Sequence, residues 1–288
     1  MSLIAVTGST GALGGRVARR LADRGVPQRL VVRDAARAPR LDGAEVAVAA
    51  GYHDHAGMTT ALRGAETLFL VSGREAADRV DEHRSAIDAA AEAGVRRIVY
   101  TSFLGAADDA VFTLGRHHAQ TEALVRDRGL AFTFLRDSMY LDFVPFFASA
   151  AGVIAGPGGD GRAAYVARDD VAAVAAAVLA DPDAHDGRTY DVTGDERLGL
   201  AEAAAVLTEV TGRAVRYEEE TEAEAYASRA PSGAPDFEIE GWVTSYQAMA
   251  AGELDVVTDV VETITGRPPL RLRAFLEQDR ESWAHLRG

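Results

Sequence analysis

The sequence predicts an α/β protein: a doubly wound parallel sheet with a smaller, mostly helical C-terminal domain. Three observations carry this expectation. Short apolar runs alternate with helix-length amphipathic stretches through the first half of the 288 residues, the pattern of parallel strands joined by crossover helices. The first run, from Leu3 to Val6, passes straight into Thr7-Gly8-Ser9-Thr10-Gly11-Ala12-Leu13-Gly14-Gly15. Beyond about residue 137 the alternation stops, and aromatic, loop and alanine-rich helical stretches follow.

Taken in order, the first unit reads as strand, tight turn and helix start, in which backbone N–H groups and a helix N-terminus face a pyrophosphate. Gly8 permits the turn, Gly11 lets the chain approach phosphates without a Cβ, and Gly14 lets the helix lie against the strand. Leu13, Val17 and Leu21 form the stripe that packs this helix on the sheet, and Gly25 closes it. Further strands are expected at 29–33, 45–48, 67–71, 97–101 and 131–135, with helices at 76–93 and 116–128 closed by Gly94 and Gly129. A nucleotide-binding domain over 1–137 and a smaller substrate domain over 138–288 follow, with a strand near 188–193 rejoining the first sheet. In the second half, Asp170 is read as the cap of an alanine-rich helix ending at Asp181-Pro182. Helices are also expected at 200–210, 218–227, 239–251 and 272–286.

Composition narrows the function. A net charge of −14 disfavours nucleic acid and anionic membrane as partners, because no basic stripe offsets phosphate repulsion. No apolar run reaches the ~20 residues of a membrane span, and a strand starting at the third residue leaves no room for a signal peptide, so a soluble, cytoplasmic protein is expected. The chain has no cysteine, which excludes disulfides and thiolate chemistry. It also has no lysine, so all 30 basic residues are arginine. That removes Schiff-base chemistry and any Tyr-x-x-x-Lys couple.

The end of the second strand distinguishes the two nicotinamide dinucleotides. A ribose 2′-hydroxyl calls for a carboxylate there, and a 2′-phosphate for an arginine. The strand ends Val31-Val32-Arg33, with Asp34 one position on and Arg37 nearby. NADP is the expected cofactor; the alternative is an Arg33 that is only a solvated strand end.

With Gly8-x-x-Gly11-x-x-Gly14, Arg33, Tyr100-Thr101-Ser102 and the missing Tyr-x-x-x-Lys couple in view, the chain resembles the NmrA-like atypical short-chain dehydrogenases. Within these it is most similar to the type 2 NAD(P)H:quinone oxidoreductases. The likeness is nearly full length, running through Gly51-Tyr52-His53-Asp54, His118-Ala119-Gln120-Thr121-Glu122, Asp191-Val192-Thr193-Gly194 and Thr265-Gly266-Arg267-Pro268-Pro269. It implies a Rossmann domain, a small C-terminal domain and NADPH in the cleft between them. Thr7, Gly8, Ser9, Thr10, Gly11, Ala12, Leu13 and Gly14 would then form the pyrophosphate loop, and Arg33 would hold the 2′-phosphate. Gly51 and Tyr52 would flank the adenine, while Ser72, Gly73, Thr101, Ser102, Phe103 and His118 would lead toward the nicotinamide. The chain departs from the resemblance after the sixth strand. Asp137-Ser138 stands for Asn-Gly, Asp142 for Glu and Phe143 for Asn.

Reduction of a quinone asks for one donor beside the acceptor, since charge develops on a conjugated oxygen that solvent can protonate. His118 is the first candidate catalytic residue. It shares a helix face with Leu114, Thr121 and Val125, and Glu122 at i+4 is placed to fix its tautomer. A histidine that merely packs under the cofactor is the alternative. Tyr140 is the second candidate, from the other side of the cleft. Phe143, Phe146, Phe147 and Trp242, with Tyr140, are expected to line the acceptor pocket. His53 and His55 have metal-like spacing around Asp54, but no metal is expected because their loop is assigned to adenine. The reading is an NADPH-dependent reductase of a quinone-like small molecule, with a homodimer left open. A non-catalytic NADP-binding redox sensor is the alternative, and an epimerase or dehydratase is disfavoured by the missing lysine.

Overall fold

The computed structural model describes residues 2–287. The first half is β1 (Ile4–Val6), α1 (Ala12–Asp23), β2 (Gln28–Val32), β3 (Ala44–Val48), α2 (His55–Leu62), β4 (Thr67–Leu70), α3 (Arg79–Glu92), β5 (Arg97–Phe103), α4 (Thr113–Asp127) and β6 (Ala131–Asp137). Each expected strand is present, and the last two run further than their apolar cores, to Phe103 and Asp137. The second half is α5 (Val144–Phe147), β7 (Val153–Gly156), β8 (Arg162–Ala163), α6 (Arg168–Ala180), β9 (Arg188–Val192), β10 (Leu198–Gly199), α7 (Leu200–Thr211), β11 (Arg216–Glu219), α8 (Glu222–Arg229), α9 (Asp236–Ala250), α10 (Val260–Thr265) and α11 (Leu272–Gln278).

Seven strands pair in parallel in the order β3-β2-β1-β4-β5-β6-β9. The chain moves outward from β1 to β3 and then returns to β4 on the other side of β1. The crevice for a ligand therefore opens at the carboxyl ends of β1 and β4. One face of the sheet packs on α1, α6 and α10, where Val17 and Leu21 meet Val171, Val174 and Val178. The other packs on α2, α3 and α4 through Met58, Leu62, Ile87 and Val125. As expected, the strand at Arg188–Val192 rejoins the sheet, beside β6. A third core, including Leu141, Ile154, Leu200 and Trp283, holds the smaller unit over the strand ends.

Three local expectations are corrected. Asp170 does not cap α6, which begins at Arg168, and its carboxylate instead accepts from Arg267 Nη1 at 2.6 Å and the Leu270 amide at 2.7 Å. It ties down the Arg267-Pro268-Pro269 segment. The acidic stretch 218–227 is divided: Arg216–Glu219 pairs with β7, and Thr221 starts α8 with a capping box to Glu224. The run 272–286 breaks at Asp279, whose carboxylate accepts from the Ser282 amide and begins a separate 3₁₀ segment, Arg280–Leu286.

Candidate functional site

The loop after β1 is shaped by two glycines. Gly8 has φ +61°, and a Cβ on Gly14 would lie 2.4 Å from the Gly8 carbonyl oxygen, so α1 reaches the strand only because that atom is absent. Gly11 stands at the N-cap with no side chain, and the first turn of α1 carries no acidic residue. Its amide end is thus free of carboxylate competition for an anion. Ser9 is buried beneath, and its Oγ has no partner. A cavity of about 370 Å³ opens here, with Thr7, Gly8, Thr10 and Gly11 at one end and Arg33, Gly51 and Tyr52 at the other. Arg33 is exposed and, among the described residues, has no carboxylate within ion-pair distance, while Asp34 is occupied accepting from the Ala36 amide. The donors, the open helix end and the free guanidinium fit a dinucleotide carrying a 2′-phosphate.

Gly73 and Arg74 are shared with a second cavity of about 570 Å³. Leu13, Val71, Ser72, Ser102, Phe103 and His118 form its inner wall. Tyr140, Phe143, Phe146, Phe147 and Trp242 all line its outer wall, with Phe143 and Phe146 exposed at the rim. The expected pocket residues, scattered over a hundred positions, meet at one place. Thr101 is buried behind that wall, where its Oγ1 accepts from the Ser72 amide at 2.7 Å. Ala12 and Gly14 belong to the loop's helix start and do not line either cavity.

His118 is 5% exposed and both its ring nitrogens are occupied. Arg79 Nη2 lies 2.9 Å from Nε2, and because arginine only donates, Nε2 accepts. The neutral ring's one N–H is then on Nδ1, committed to the Tyr100 hydroxyl at 2.9 Å. Burial, and next the Arg79 charge, hold the imidazole well below its usual range. The expected tautomer partner is corrected. Glu122 turns instead toward the sheet, accepting two bonds from Arg136 at 2.8 Å and one from Ser102 Oγ at 2.7 Å. With its N–H spent, His118 presents no free donor to the cavity, which counts against its candidacy as the acid. A second buried histidine, His83, accepts from the Gly73 amide at Nε2 and so donates from Nδ1 to Thr121 Oγ1.

Tyr140 is placed differently. Its hydroxyl is 2.8 Å from Asp137 Oδ2, and burial pushes Asp137 well above the usual carboxylate range. Asp137 Oδ1 has no partner. Arg168 lies over the Tyr140 and Phe143 rings at 4.7 and 4.2 Å.

Sequence reasoning missed Arg79 altogether. It is 2% exposed, lines the second cavity, donates from Nε to the Gly73 carbonyl at 3.0 Å, and leaves Nη1 unpartnered. Nothing local marks one arginine among thirty. His53 and His55 pair with different carboxylates, Glu82 and Glu92, and no group of three or more ligating side chains occurs among the described residues.

The profile of the NmrA-like family matches residues 1–263. Quinone oxidoreductase 2 of Escherichia coli is 36% identical over 290 residues, covering 99% of this chain and 98% of that protein. NAD(P)H azoreductase of Xenophilus azovorans is 33% identical, covering 96% of each. The crystal structure of the NADPH-dependent quinone oxidoreductase from E. coli in complex with NADPH superposes with a TM-score of 0.88 at 35% identity, covering 96% of this chain and 99% of that one.

Proposed function

The chain belongs to the NmrA-like family, and on that footing we propose that it is an NADPH-dependent reductase passing hydride to quinones and related conjugated acceptors. The observation that carries this reading is the pair of joined cavities: one built of amides and a free arginine, the other walled by aromatic rings, meeting at Gly73. Two full-length relatives, named as a quinone oxidoreductase and an azoreductase, support an enzyme over a redox sensor.

When bound, the dihydronicotinamide supplies the hydride. The residues of this chain do the rest. The Gly8–Leu13 loop would hold the pyrophosphate, Arg33 the 2′-phosphate, and Gly51 with Tyr52 the adenine. Ser72, Gly73, Ser102 and Phe103 form the wall against which the reactive ring would lie, with Thr101 bracing Ser72 from behind. Phe143, Phe146, Phe147 and Trp242 exclude water and orient a flat acceptor. Tyr140 is the proton donor in this reading. Its hydroxyl donates to Asp137 Oδ2 at 2.8 Å and becomes the proton source on turning from that oxygen to the acceptor, and burial, which raises both groups well above their usual ranges, favours their protonated forms. His118 then serves as a positioning residue that holds Arg79. A cytoplasmic location, where NADPH is supplied, belongs to the same reading.

The test is oxidation of NADPH against a panel of benzoquinones and naphthoquinones, with NADH and Arg33→Ala alongside. Quinone-dependent oxidation is expected. Arg33→Ala should weaken NADPH binding by about tenfold to a hundredfold, the worth of one charge-assisted contact, and leave NADH unchanged. Tight NADPH binding with no turnover on any quinone would overturn the reductase reading in favour of the sensor.

A further inference from the structure

The two most exposed phenylalanines, Phe143 at 45% and Phe146 at 63%, both stand at the mouth of the acceptor cavity. Apolar rings left this open to water mark a contact surface rather than a core. Phe143 is covered on one side by the Arg168 guanidinium, 4.2 Å from its centroid. Phe146 is covered by His285: the ring centroids are 5.3 Å apart and the planes 9° from parallel, the geometry of offset stacking. Phe146 lines the cavity and His285 does not, so the imidazole stands behind the phenyl ring. His285 also holds the backbone that carries Phe146. Its Nε2 lies 3.1 Å from the Pro145 carbonyl oxygen and 3.2 Å from that of Ala148. Both oxygens only accept, so Nε2 carries the ring proton and shares it between them. Those carbonyls belong to the single turn of α5 and the residue after it, a helix too short to satisfy its own carboxyl end. His285 is in turn fixed by its chain neighbours. Trp283 and Leu286 are buried in the core of the smaller unit, and Trp283 Nε1 donates to the Leu276 carbonyl at 2.9 Å. The brace therefore comes from the 3₁₀ segment Arg280–Leu286, beyond residue 263, where the match to the family profile ends.

We propose that His285 is a positioning residue that makes Phe146 an outer stacking subsite of the acceptor cavity, taking the distal aromatic ring of acceptors longer than a single quinone ring. The inference deepens the reductase reading and rests on it for the identity of the ligand as an acceptor. The cavity of about 570 Å³ extends from Ser72 and Gly73, where it joins the cofactor site, to Phe146 at its rim. A ligand whose reacting ring lies at the inner wall meets Phe146 only through a second ring. That ring stacks on the open face of a phenyl group whose other face is already held. Ordering the phenyl ring in advance removes the entropy cost that a loose, exposed side chain imposes on binding. A saturated ring of similar size gains the burial without the stacking geometry, so the subsite discriminates by flatness.

The test uses the NADP⁺-loaded protein, in which no hydride is available and binding is read alone. The probes are 2-phenyl-1,4-benzoquinone and 2-cyclohexyl-1,4-benzoquinone, which share the reacting ring and differ in whether the pendant ring is flat. Each is titrated by quenching of tryptophan fluorescence. Wild type is expected to bind the phenyl analogue about two- to tenfold more tightly, the worth of one aromatic pair beyond its burial. Phe146→Leu should bring the ratio to near one, and so should His285→Ala, which leaves the phenyl ring in place but unsupported. His285→Phe, which keeps a ring behind Phe146, should retain a preference for the phenyl analogue. The ratio is the readout because a general loosening of the wall weakens both analogues together. Equal affinities in wild type, or an undiminished ratio in His285→Ala, overturn the proposal. Failure of the reductase reading shows separately, as absent NADPH oxidation with either quinone while the phenyl preference persists.

Discussion

Asp137 shows how one side chain departs from its ordinary chemistry. It ends β6, is 1% exposed, and its carboxyl group has a single hydrogen bond, from Tyr140. Its folded pKa is raised by burial, so the native state keeps a proton that the unfolded chain releases above its own value near about 4. The stabilising contribution is therefore complete below pH ~4 and lost as the pH rises toward the folded value. Asp137→Asn removes that loss. The substitution is expected to raise stability near pH 7, with the gain shrinking to nothing near pH 4. Thermal melts at the two pH values check it. A variant less stable than wild type at pH 7 would show that Asp137 is ionised and supported by its surroundings. The aspartate at the end of the sixth strand was visible in the sequence, but its burial and its bond to Tyr140 were not.

At the scale of elements, the β1 loop and α1 were fully legible because their constraints are local. A glycine at each of three fixed offsets and an apolar stripe at helical spacing specify the turn and the helix together. Gly11→Ala and Gly14→Ala should separate the two jobs of the loop. A Cβ at Gly11 comes 3.2 Å from the Gly8 oxygen, a contact that relaxes within the loop, whereas one at Gly14 comes within 2.4 Å of that backbone atom. Gly11→Ala is expected to keep its melting temperature and lose NADPH affinity. Gly14→Ala should lose both, with a stability cost of about 1–3 kcal/mol for the forced backbone shift. Cofactor titration and melts on the same samples decide, and a Gly14→Ala protein identical to wild type would refute the close-packing account. The misread elements failed for the opposite reason. Arg216–Glu219 has charged, helix-compatible residues and is extended because it pairs with Val153–Gly156, some sixty residues away. Glu122 looked like His118's partner by i+4 spacing, yet Arg136 on the neighbouring strand offers two charge-assisted bonds and takes it.

For the whole molecule, the chain returns to the large layer after leaving it. β9 pairs with β6, α6 packs on α1, and Val261 of α10 joins the same core. A fragment of residues 1–137 is thus expected not to unfold cooperatively, because Val17, Ala18 and Leu21 would face water where α6 now lies. A heat-induced transition followed by circular dichroism tests this, and a sharp, reversible melt of the fragment would show the first six strands to be self-sufficient. The sequence alone determined the alternating α/β order, the phosphate-cradling loop, the arginine at the end of β2 and the absence of lysine and cysteine chemistry. Each of these is a matter of residue identity or of spacing within one or two turns of chain. Only the tertiary structure decided that Arg79, His118, Tyr140 and Trp242 surround one cavity, that the His118 N–H is already committed, and that Arg79, among the described residues, has no carboxylate within ion-pair distance. Those facts depend on which distant groups meet and on how little water reaches them, and burial and partnership are properties of the folded chain.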